Sequence, residues 1–244
     1  MSVGRVRDVL REGGPGLLFR KAAAQTRTRL TVVPASRALR RQIRRTSEID
    51  EALDVAFGFQ YDRLSLRPQQ IRSEITALLR YLRQRPPRTV VEIGTASGGT
   101  LLLLASVAAA DATLVTVDLP RHFNRQRLHC AVARSRQSVH TIRADSHTPE
   151  ARASILEALG GRSVDFLLID GDHSYEGVKA DYESFAPLVG KGGSIGFHDI
   201  VPGPEGSVGG VPAFWQEVKQ GKTTREFVED WRQGGLGIGL IEVA

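Results

Sequence analysis

Short apolar segments rich in Val, Ile and Thr alternate with segments of helical periodicity through most of the chain after residue 87. Strands are predicted over residues 89–94, 113–118, 139–143, 164–169 and 193–198, and helices over 98–110, 123–136, 149–159, 175–189 and 211–220. Such alternation predicts a parallel sheet with helices on both faces. Two further strands, 225–229 and 237–243, follow one another without a helix and predict an antiparallel edge. The predicted fold class is therefore α/β, with a doubly wound, mostly parallel sheet of seven strands.

The first third of the chain has a different pattern. Apolar residues between positions 36 and 57 recur near helical spacing, which predicts one helix there. A second helix is predicted to open at Arg67-Pro68 and to end at Pro86-Pro87. We therefore predict two parts: a basic, partly helical extension over residues 1–60, and an α/β domain over residues 61–244.

The positive charge of the chain is concentrated at one end. The net charge of the 244 residues is +6, but residues 1–45 carry twelve Lys and Arg against two acidic residues, so that segment is +10 and the remainder −4. Such an arm fits a contact with nucleic acid, a contact with an anionic membrane, or a solvated extension that packs on a neighbour. Phe19 is its single aromatic residue, so the pattern favours the solvated extension.

Cysteine content and hydropathy exclude several classes of protein. Cys130 is the one cysteine, which excludes a disulfide framework and a cysteine-rich zinc site. No apolar run reaches the roughly 18 residues that a membrane-spanning helix needs. We therefore expect a soluble protein of a reducing compartment, the cytoplasm.

Acidic residues lie at the ends of most predicted strands. They are Glu92, Asp118, Asp145, Asp170 and Asp199. In doubly wound sheets ligands bind outside the carboxyl ends of the strands. Single acids there are commonly helix caps, but several carboxylates at one edge repel each other unless a cation or ligand hydroxyls offset them. A binding site is therefore predicted at this edge.

The first loop of the predicted sheet, residues 92–100, brings glycines and a helix N-terminus to that edge. Its glycines are Gly94, Gly98 and Gly99, a spacing that differs from Gly-x-Gly-x-x-Gly, and no Gly-Lys-Ser/Thr follows. A pyrophosphate cradle is therefore disfavoured. Glu92 suits a cationic ligand group, and Asp118 stands where a carboxylate accepts ribose hydroxyls. This position alone does not separate NAD from other adenosine ligands.

Four motifs together resemble the class I S-adenosylmethionine-dependent methyltransferases. They are Val-Glu-Ile-Gly-Thr-Ala-Ser-Gly-Gly-Thr at 91–100, Thr-Val-Asp at 116–118, Ala-Asp-Ser at 144–146 and Ile-Asp-Gly-Asp-His-Ser-Tyr-Glu-Gly at 169–177. They are most similar to the branch of cephalosporin-hydroxylase-like and macrolide-sugar O-methyltransferases, which is related to the catechol and caffeoyl-CoA O-methyltransferases. The resemblance covers roughly residues 68–244 and implies a Rossmann-like sheet.

The resemblance implies a role for each motif in binding S-adenosylmethionine. Glu92 and Gly94 are expected to line the methionine end of the cofactor, with Thr100 nearby. Asp118 is expected to hold the ribose. The expected border of the adenine is formed by Asp145 and Ser146.

The resemblance also implies a divalent cation, Mg²⁺ or Mn²⁺, and a base. The expected metal ligands are Asp170, His198 and Asp199, and the expected catalytic base is His173. A carboxylate-bound cation can lower the pKa of an acceptor hydroxyl while an imidazole takes its proton. His198 departs from the pattern, since relatives usually place an acid there, and a nitrogen ligand suits Mn²⁺ better than Mg²⁺.

The predicted function is an S-adenosylmethionine-dependent O-methyltransferase, assisted by a divalent cation, that methylates a hydroxyl of a small molecule. A sugar or a phenolic compound of secondary metabolism is the expected acceptor. The alternatives are an NAD-dependent oxidoreductase, which the glycine spacing weakens, and a non-catalytic nucleic-acid-binding protein that acts through residues 1–45. A homodimer formed through the arm and the helix at 36–57 stays open, as does an anionic membrane contact of the arm.

Overall fold

The computed structural model of the protein describes residues 31–119, 125–134 and 136–244. The first thirty residues of the predicted basic arm lie outside the described residues. The described helices are α1 (31–43), α2 (Ile49–Gly58), α3 (Arg72–Gln84), α4 (Gly99–Val107), α5 (Gln126–His129), α6 (Pro149–Leu159), α7 (Tyr175–Phe185), α8 (Glu205–Val208) and α9 (Val211–Val218). The strands are β1 (Gln60–Tyr61), β2 (Leu64–Ser65), β3 (Thr89–Ile93), β4 (Thr113–Asp118), β5 (Ser138–Arg143), β6 (Val164–Ile169), β7 (Val189–His198), β8 (Thr223–Phe227) and β9 (Ile238–Glu242).

Seven of the described strands form one sheet in the order β5-β4-β3-β6-β7-β9-β8. Strands β3 to β7 pair in parallel, whereas β9 is antiparallel to both β7 and β8. This arrangement confirms the predicted mostly parallel, Rossmann-like sheet with an antiparallel C-terminal edge. The chain builds outward from β3 to β5 and then returns to place β6 on the other side of β3. The strand order therefore reverses between β3 and β6.

Two hydrophobic cores cover the two faces of the sheet. Strands β3 and β6 consist mostly of buried Val, Ile, Leu and Phe, as expected for parallel strands covered on both faces. One core joins the sheet to α1, α2, α3 and α4. The other joins it to α6, α7 and α9. Helices packed on both faces thus hold the sheet in place and, with it, the loops at the carboxyl ends of the parallel strands.

The helix predicted over residues 36–57 is two helices, α1 and α2. Glu51 explains the break, because its Oε2 accepts hydrogen bonds from the backbone N–H groups of Ser47 (2.7 Å) and Glu48 (3.1 Å). This capping interaction satisfies backbone N–H groups just before α2. It therefore starts a new helix at Ile49, although the helical spacing of apolar residues continues through the break. Both helices bury apolar residues in the same core as α4, including Leu39 and Leu53, which have no exposed surface.

Three short elements differ from the sequence prediction. The helix predicted at 123–136 is represented in the described residues by α5 and a 3₁₀ turn at Cys130–Val132. The β1–β2 hairpin and α8 were not predicted, because two to four residues are too few to show a period.

In the described ranges no helix combines the length and the hydropathy that crossing a membrane requires.

We predict that Leu39→Ala lowers the free energy of unfolding by about 3 kcal/mol, because it leaves a cavity in the shared core. Chemical denaturation measures the effect, and Gln42→Ala, an exposed position on the same helix, is the matched control. Equal unfolding midpoints for both variants would contradict the packing of α1 into the core of the domain.

Candidate functional site

A cleft of about 1020 Å³ lies at the carboxyl ends of the parallel strands. The residues predicted for the site that line it are Gly94, Thr100, Asp118, Asp145, Ser146, Asp170, His173, His198 and Asp199. Glu92 is the predicted site residue that does not line it. The cleft lies over the point between β3 and β6 where the strand order reverses, which is where ligands bind in such sheets.

The backbones of the loop after β3 and the loop after β6 touch at the floor of the cleft. Asp170 N–H donates to the carbonyl oxygen of Ile93 at 2.8 Å. Gly94 has a φ of +90°, and a Cβ atom there would lie 1.8 Å from the carbonyl oxygen of Asp170. Only glycine tolerates both the left-handed backbone and this approach. The glycine therefore sets how closely the two loops meet.

Asp118 holds the glycine loop from the end of β4. One oxygen of its carboxylate accepts the backbone N–H of Ala96 at 2.8 Å, and Ala96 itself has a φ of +44°. On the other side of the loop, Ser97 Oγ donates to the carbonyl oxygens of Leu66 and Arg67 at 2.8 and 3.0 Å. The loop is thus fixed from both sides, with Asp118 facing the cleft.

Glu92 lies beneath this loop rather than in the cleft, and it has no exposed surface. Thr116 Oγ1 donates to Glu92 Oε2 at 2.8 Å, and the Thr116 hydroxyl also contacts that of Thr95 in the loop. Burial raises the pKa of Glu92 to about 8, opposed by the Thr116 hydrogen bond and aided by the charges of Asp170 and Asp118. A neutral carboxyl group at pH 7 therefore supports the loop from below.

Two carboxylates and two imidazoles form a compact cluster at the ends of β6 and β7. Nδ1 of His198 lies 3.2 Å from Asp170 Oδ1 and 3.4 Å from Asp199 Oδ2. His173 bridges the same two carboxylates, with Nε2 3.5 Å from Asp170 Oδ1 and Nδ1 3.4 Å from Asp199 Oδ2. Nδ1 of His173 also lies 2.6 Å from the carbonyl oxygen of Ser207 in α8. The structure thus brings the three predicted metal ligands and the predicted base together.

The charges in this cluster compensate each other. Burial alone would raise the pKa of Asp170, but the charges of His198 and His173 and their hydrogen bonds lower it to about 2. Burial alone would lower the pKa of His198, yet Asp170 and Asp199 raise it to about 10. The hydrogen bond that His173 donates to Asp170 raises the pKa of His173 to about 9 against the effect of burial, with further contributions from Ser207 and Asp199. The two carboxylates therefore keep both imidazoles protonated at neutral pH.

The geometry of the cluster suits a metal ion. Ligand atoms of Asp170, His173 and Asp199 all lie within 4.8 Å of one another. His173 is therefore a candidate ligand as well as the predicted base, while the role of His198 as a ligand stays a prediction. The backbone of Asp199 is left-handed, with a φ of +63°, and its Oδ1 accepts the N–H of Leu236 at 3.1 Å. Strained backbone of this kind is typical of functional sites.

The cleft contains a third histidine, His147, which lies between two acids near its Asp145 end. Nδ1 of His147 lies 3.5 Å from Asp145 Oδ1, and its Nε2 lies 3.3 Å from Asp181 Oδ1. Asp181 is fully buried in α7. Burial raises its pKa to about 6, although the Ser146 hydrogen bond and the charge of His147 oppose the rise. This chain of groups fixes the loop that carries Asp145 and Ser146.

Sequence reasoning missed three residues of the site. They are Gln70, His147 and Asp181. Gln70 Nε2 lies 3.5 Å from Asp170 Oδ2, and its buried Oε1 has no hydrogen-bond partner among the described residues. Nothing in the sequence marks Gln70, because one hundred positions separate it from Asp170. Asp181 carried a weak signal as an acid on the otherwise buried face of α7.

Part of the chain matches a known family. Residues 91–200 match a family model described as a methyltransferase domain. The uncharacterized protein y4gI of Sinorhizobium fredii (strain NBRC 101917 / NGR234) is 30% identical over 161 residues. That match covers 62% of this chain but 17% of the relative, so the chain spans only a small part of that protein's length.

Solved structures share the fold. The O-methyltransferase TomG of Streptomyces achromogenes, solved with SAM, is 21% identical with a TM-score of 0.53, over 80% of this chain and 89% of TomG. An O-methyltransferase of Bacillus cereus, solved with SAH, is 19% identical with a TM-score of 0.55. The match covers 81% of this chain and 91% of the Bacillus cereus chain. Residues 91–200 thus match a methyltransferase domain, and the chain shares the Rossmann-like fold of these O-methyltransferases, in agreement with the resemblance of its motifs to the class I methyltransferases.

Proposed function

We propose that this chain is an S-adenosylmethionine-dependent O-methyltransferase that uses a divalent cation and acts on a hydroxyl group of a small molecule. The observation that carries the proposal is the presence, in one cleft, of the glycine loop held by Asp118 and the cluster of Asp170, His173 and Asp199. O-methyltransferases solved with SAM or SAH share the fold, which supports the cofactor.

The cleft fits the cofactor in size and in its polar groups. Its volume of about 1020 Å³ is enough for the cofactor and an acceptor together. In this proposal Gly94 and Thr100 face the methionine part, and Asp118 accepts the ribose hydroxyls. Asp145 and Ser146 border the adenine. Glu92 positions the loop from below and does not contact the ligand. The cofactor supplies a methyl group on a positively charged sulfur. The aspartates that line the cleft, at positions 118, 145, 170, 172 and 199, favour this positive charge electrostatically.

The cluster fits a hard cation with one or two imidazole ligands. Asp170 and Asp199 would hold the ion, and this mixed oxygen and nitrogen set suits Mn²⁺ at least as well as Mg²⁺. Such an ion would lower the pKa of an acceptor hydroxyl and compete with the protons that the two carboxylates keep on the imidazoles. His198 is either a further ligand or a buried counter-charge to Asp170.

In this proposal His173 accepts the proton of the acceptor hydroxyl once the bound ion has displaced the proton that Asp170 and Asp199 keep on its ring. Its Nδ1 faces the carbonyl oxygen of Ser207 at 2.6 Å, and this contact favours the tautomer with the hydrogen on Nδ1. Nε2 is then the nitrogen that takes the hydroxyl proton. When bound, the cofactor would supply the methyl group to the acceptor oxygen, and the hydroxyl proton would remain on His173.

Several finer statements belong to the same proposal. The acceptor is a sugar or phenolic hydroxyl of secondary metabolism, and the protein works in the cytoplasm. The residues proposed to bind the cofactor and the metal all follow residue 61, while α1 and α2 pack into the same core. No observation favours NAD-dependent oxidoreduction, and NAD⁺ serves as a control ligand. The proposed homodimer and the proposed contacts of residues 1–45 await measurements of oligomeric state and of binding.

We predict that Asp118→Asn weakens the binding of S-adenosylhomocysteine at least about tenfold, because charged hydrogen bonds to the ribose are lost. Asp111→Asn, at the other end of β4, is the matched control and keeps the wild-type affinity. Calorimetric titration measures both variants, with NAD⁺ as the control ligand. Micromolar binding of NAD⁺ in place of S-adenosylhomocysteine would refute the proposed cofactor.

We predict that Asp199→Asn weakens Mn²⁺ binding at least about tenfold, since a neutral amide is a poor ligand for a hard cation. The free Mn²⁺ signal in electron paramagnetic resonance gives the affinity. Asp50→Asn is the control, because Asp50 is an exposed carboxylate of α2 that does not line the cleft. If the two substitutions have equal effects on Mn²⁺ affinity, the cluster is not the metal site.

We predict that Glu92→Gln changes how stability depends on pH. The pKa of Glu92 is raised from 4.5 to about 8 in the folded chain, so the folded state keeps a proton that the unfolded state loses above pH 4.5. The stability that this proton provides is present below pH 4.5 and is lost as the pH rises to 8, at up to about 1.4 kcal/mol per pH unit. The Gln variant lacks this loss.

Urea unfolding at several pH values tests the Glu92 prediction. The free energy of unfolding of Glu92→Gln, relative to that of the wild type, should increase between pH 4.5 and 8. Above pH 8 the difference between the two proteins should stay constant. Glu157→Gln, an exposed carboxylate of α6, should follow the wild type throughout. Parallel pH profiles for Glu92→Gln and the wild type would show that Glu92 is ionised at neutral pH.

A further inference from the structure

One face of α1 consists of exposed arginines. Arg37, Arg40 and Arg41 in α1, with Arg44 in the turn directly after it, recur at the spacing that places side chains on a single helix face, and we call this set the arginine face. Apolar residues of the opposite face are buried in the core. At a rise of about 1.5 Å per residue, the arginine face extends over about 10 Å.

Shallow grooves flank the arginine face on both sides. One, of about 530 Å³, has Pro34 and Tyr61 in its wall together with all four arginines. The other, of about 440 Å³, joins Arg37 and Arg40 to Arg127 and Cys130. No salt bridge links any of these five arginines to a carboxylate within the part of the chain that the structure describes. Among the described residues, no carboxylate therefore offsets their charge.

Arg125 connects these grooves to the cleft. Gln126 and Arg127 line the second groove, while the adjacent Arg125 lines the cleft together with Arg67. The Arg125 guanidinium donates to the carbonyl oxygen of Ser65 at 2.9 Å, which fixes it in the cleft wall. Burial lowers the pKa of Arg125, and no carboxylate of the described residues forms an ion pair with it. A partly buried cation without a counter-charge favours an anionic ligand.

We propose that the acceptor is a hydroxyl compound with an extended, multivalent anionic part, which lies along Arg125, Arg127 and the arginine face while its hydroxyl reaches the cluster at Asp170. This inference rests on the proposed function. The shared chemistry of the anionic part is a row of oxyanions, either phosphoryl groups or the carboxylates of an acidic saccharide.

The charge distribution favours an extended anion over a compact one. The cleft itself is bordered by five aspartates, at positions 118, 145, 170, 172 and 199, which repel an anion placed among them. Arginine guanidinium groups pair bidentately with both phosphoryl and carboxylate oxygens. The exposed large hydrophobic residues of the described chain are Leu156 and Trp231, and neither is on α1. The arginine face thus lacks the apolar residues that insert into a membrane.

The test is calorimetric titration of the full chain with two probes, tripolyphosphate and trigalacturonate, at low and at physiological salt. The double variant Arg40→Gln/Arg44→Gln should bind the preferred probe at least about tenfold more weakly than the wild type, with a smaller salt dependence. The matched control, Arg80→Gln/Arg152→Gln, removes two exposed arginines from α3 and α6 and should bind as the wild type does. The probe that binds identifies the source of the oxyanions.

Three outcomes would overturn the inference. The first is equal affinity of the double variant and the wild type for both probes. The second is binding of neither probe by a wild-type sample that binds S-adenosylhomocysteine. The third is tight binding of single-stranded DNA through the same arginines without binding of either short anion, which would make α1 a nucleic-acid surface.

A separate variant distinguishes the acceptor from the cofactor as the source of the anion at Arg125. Arg125→Gln should weaken the binding of the anionic probe and leave the ratio of affinities for S-adenosylhomocysteine and methylthioadenosine as in the wild type. A change in that ratio would assign Arg125 to the carboxylate of the cofactor and overturn its assignment to the acceptor. A wild-type chain that binds neither adenosine ligand would refute the proposed function itself, whatever the anions do.

Discussion

The contact between the carboxyl ends of β3 and β6 is the constraint on which the site depends. Asp170 N–H bonds to Ile93, and the missing side chain of Gly94 lets the two backbones meet. The strand order reverses at this point, so the loops that follow the two strands diverge and open the cleft. The loop after β3 is held by Asp118, and the loop after β6 carries His173. A side chain at position 94 would separate them.

Charge balance is the second organising feature of the molecule. The acids at the strand ends collect in one cleft, where His173 and His198 offset the two carboxylates of the cluster. Glu92 avoids adding to this charge because its carboxyl is buried and protonated at neutral pH. The arginines of α1 lie outside the cleft and are solvated. This division of charge suits a cationic methyl donor inside the cleft and an anionic acceptor that extends beyond it.

Much of the fold was predictable from the sequence, as was the position of most predicted site residues along one cleft. Parallel strands buried on both faces have a strong apolar pattern, and an acid at a strand end falls at the sheet edge wherever that strand lies. The break between α1 and α2 was not predictable from periodicity, because a side-chain cap by Glu51 decides it. The position of Glu92 below the loop was also missed, since the expectation came from its place in a motif and not from the direction of its side chain.

Residues brought together only by tertiary structure were beyond the sequence. Gln70 meets Asp170 through the packing of the segment before α3, and Asp181 meets His147 through the packing of α7. The link from the arginine face to Arg125 likewise depends on how α1 lies against α5. In the sequence the same arginines were part of a long basic arm, and their separate role could not be distinguished from its overall charge.

A crystal structure of the chain with S-adenosylhomocysteine and Mn²⁺ would test the central claim most directly. We expect the ligand to lie in the cleft with its ribose at Asp118. We expect an anomalous manganese peak between the carboxylates of Asp170 and Asp199. Ligand density elsewhere, or a manganese peak away from these carboxylates, would contradict the claim that one cleft holds both the methyl donor and the metal.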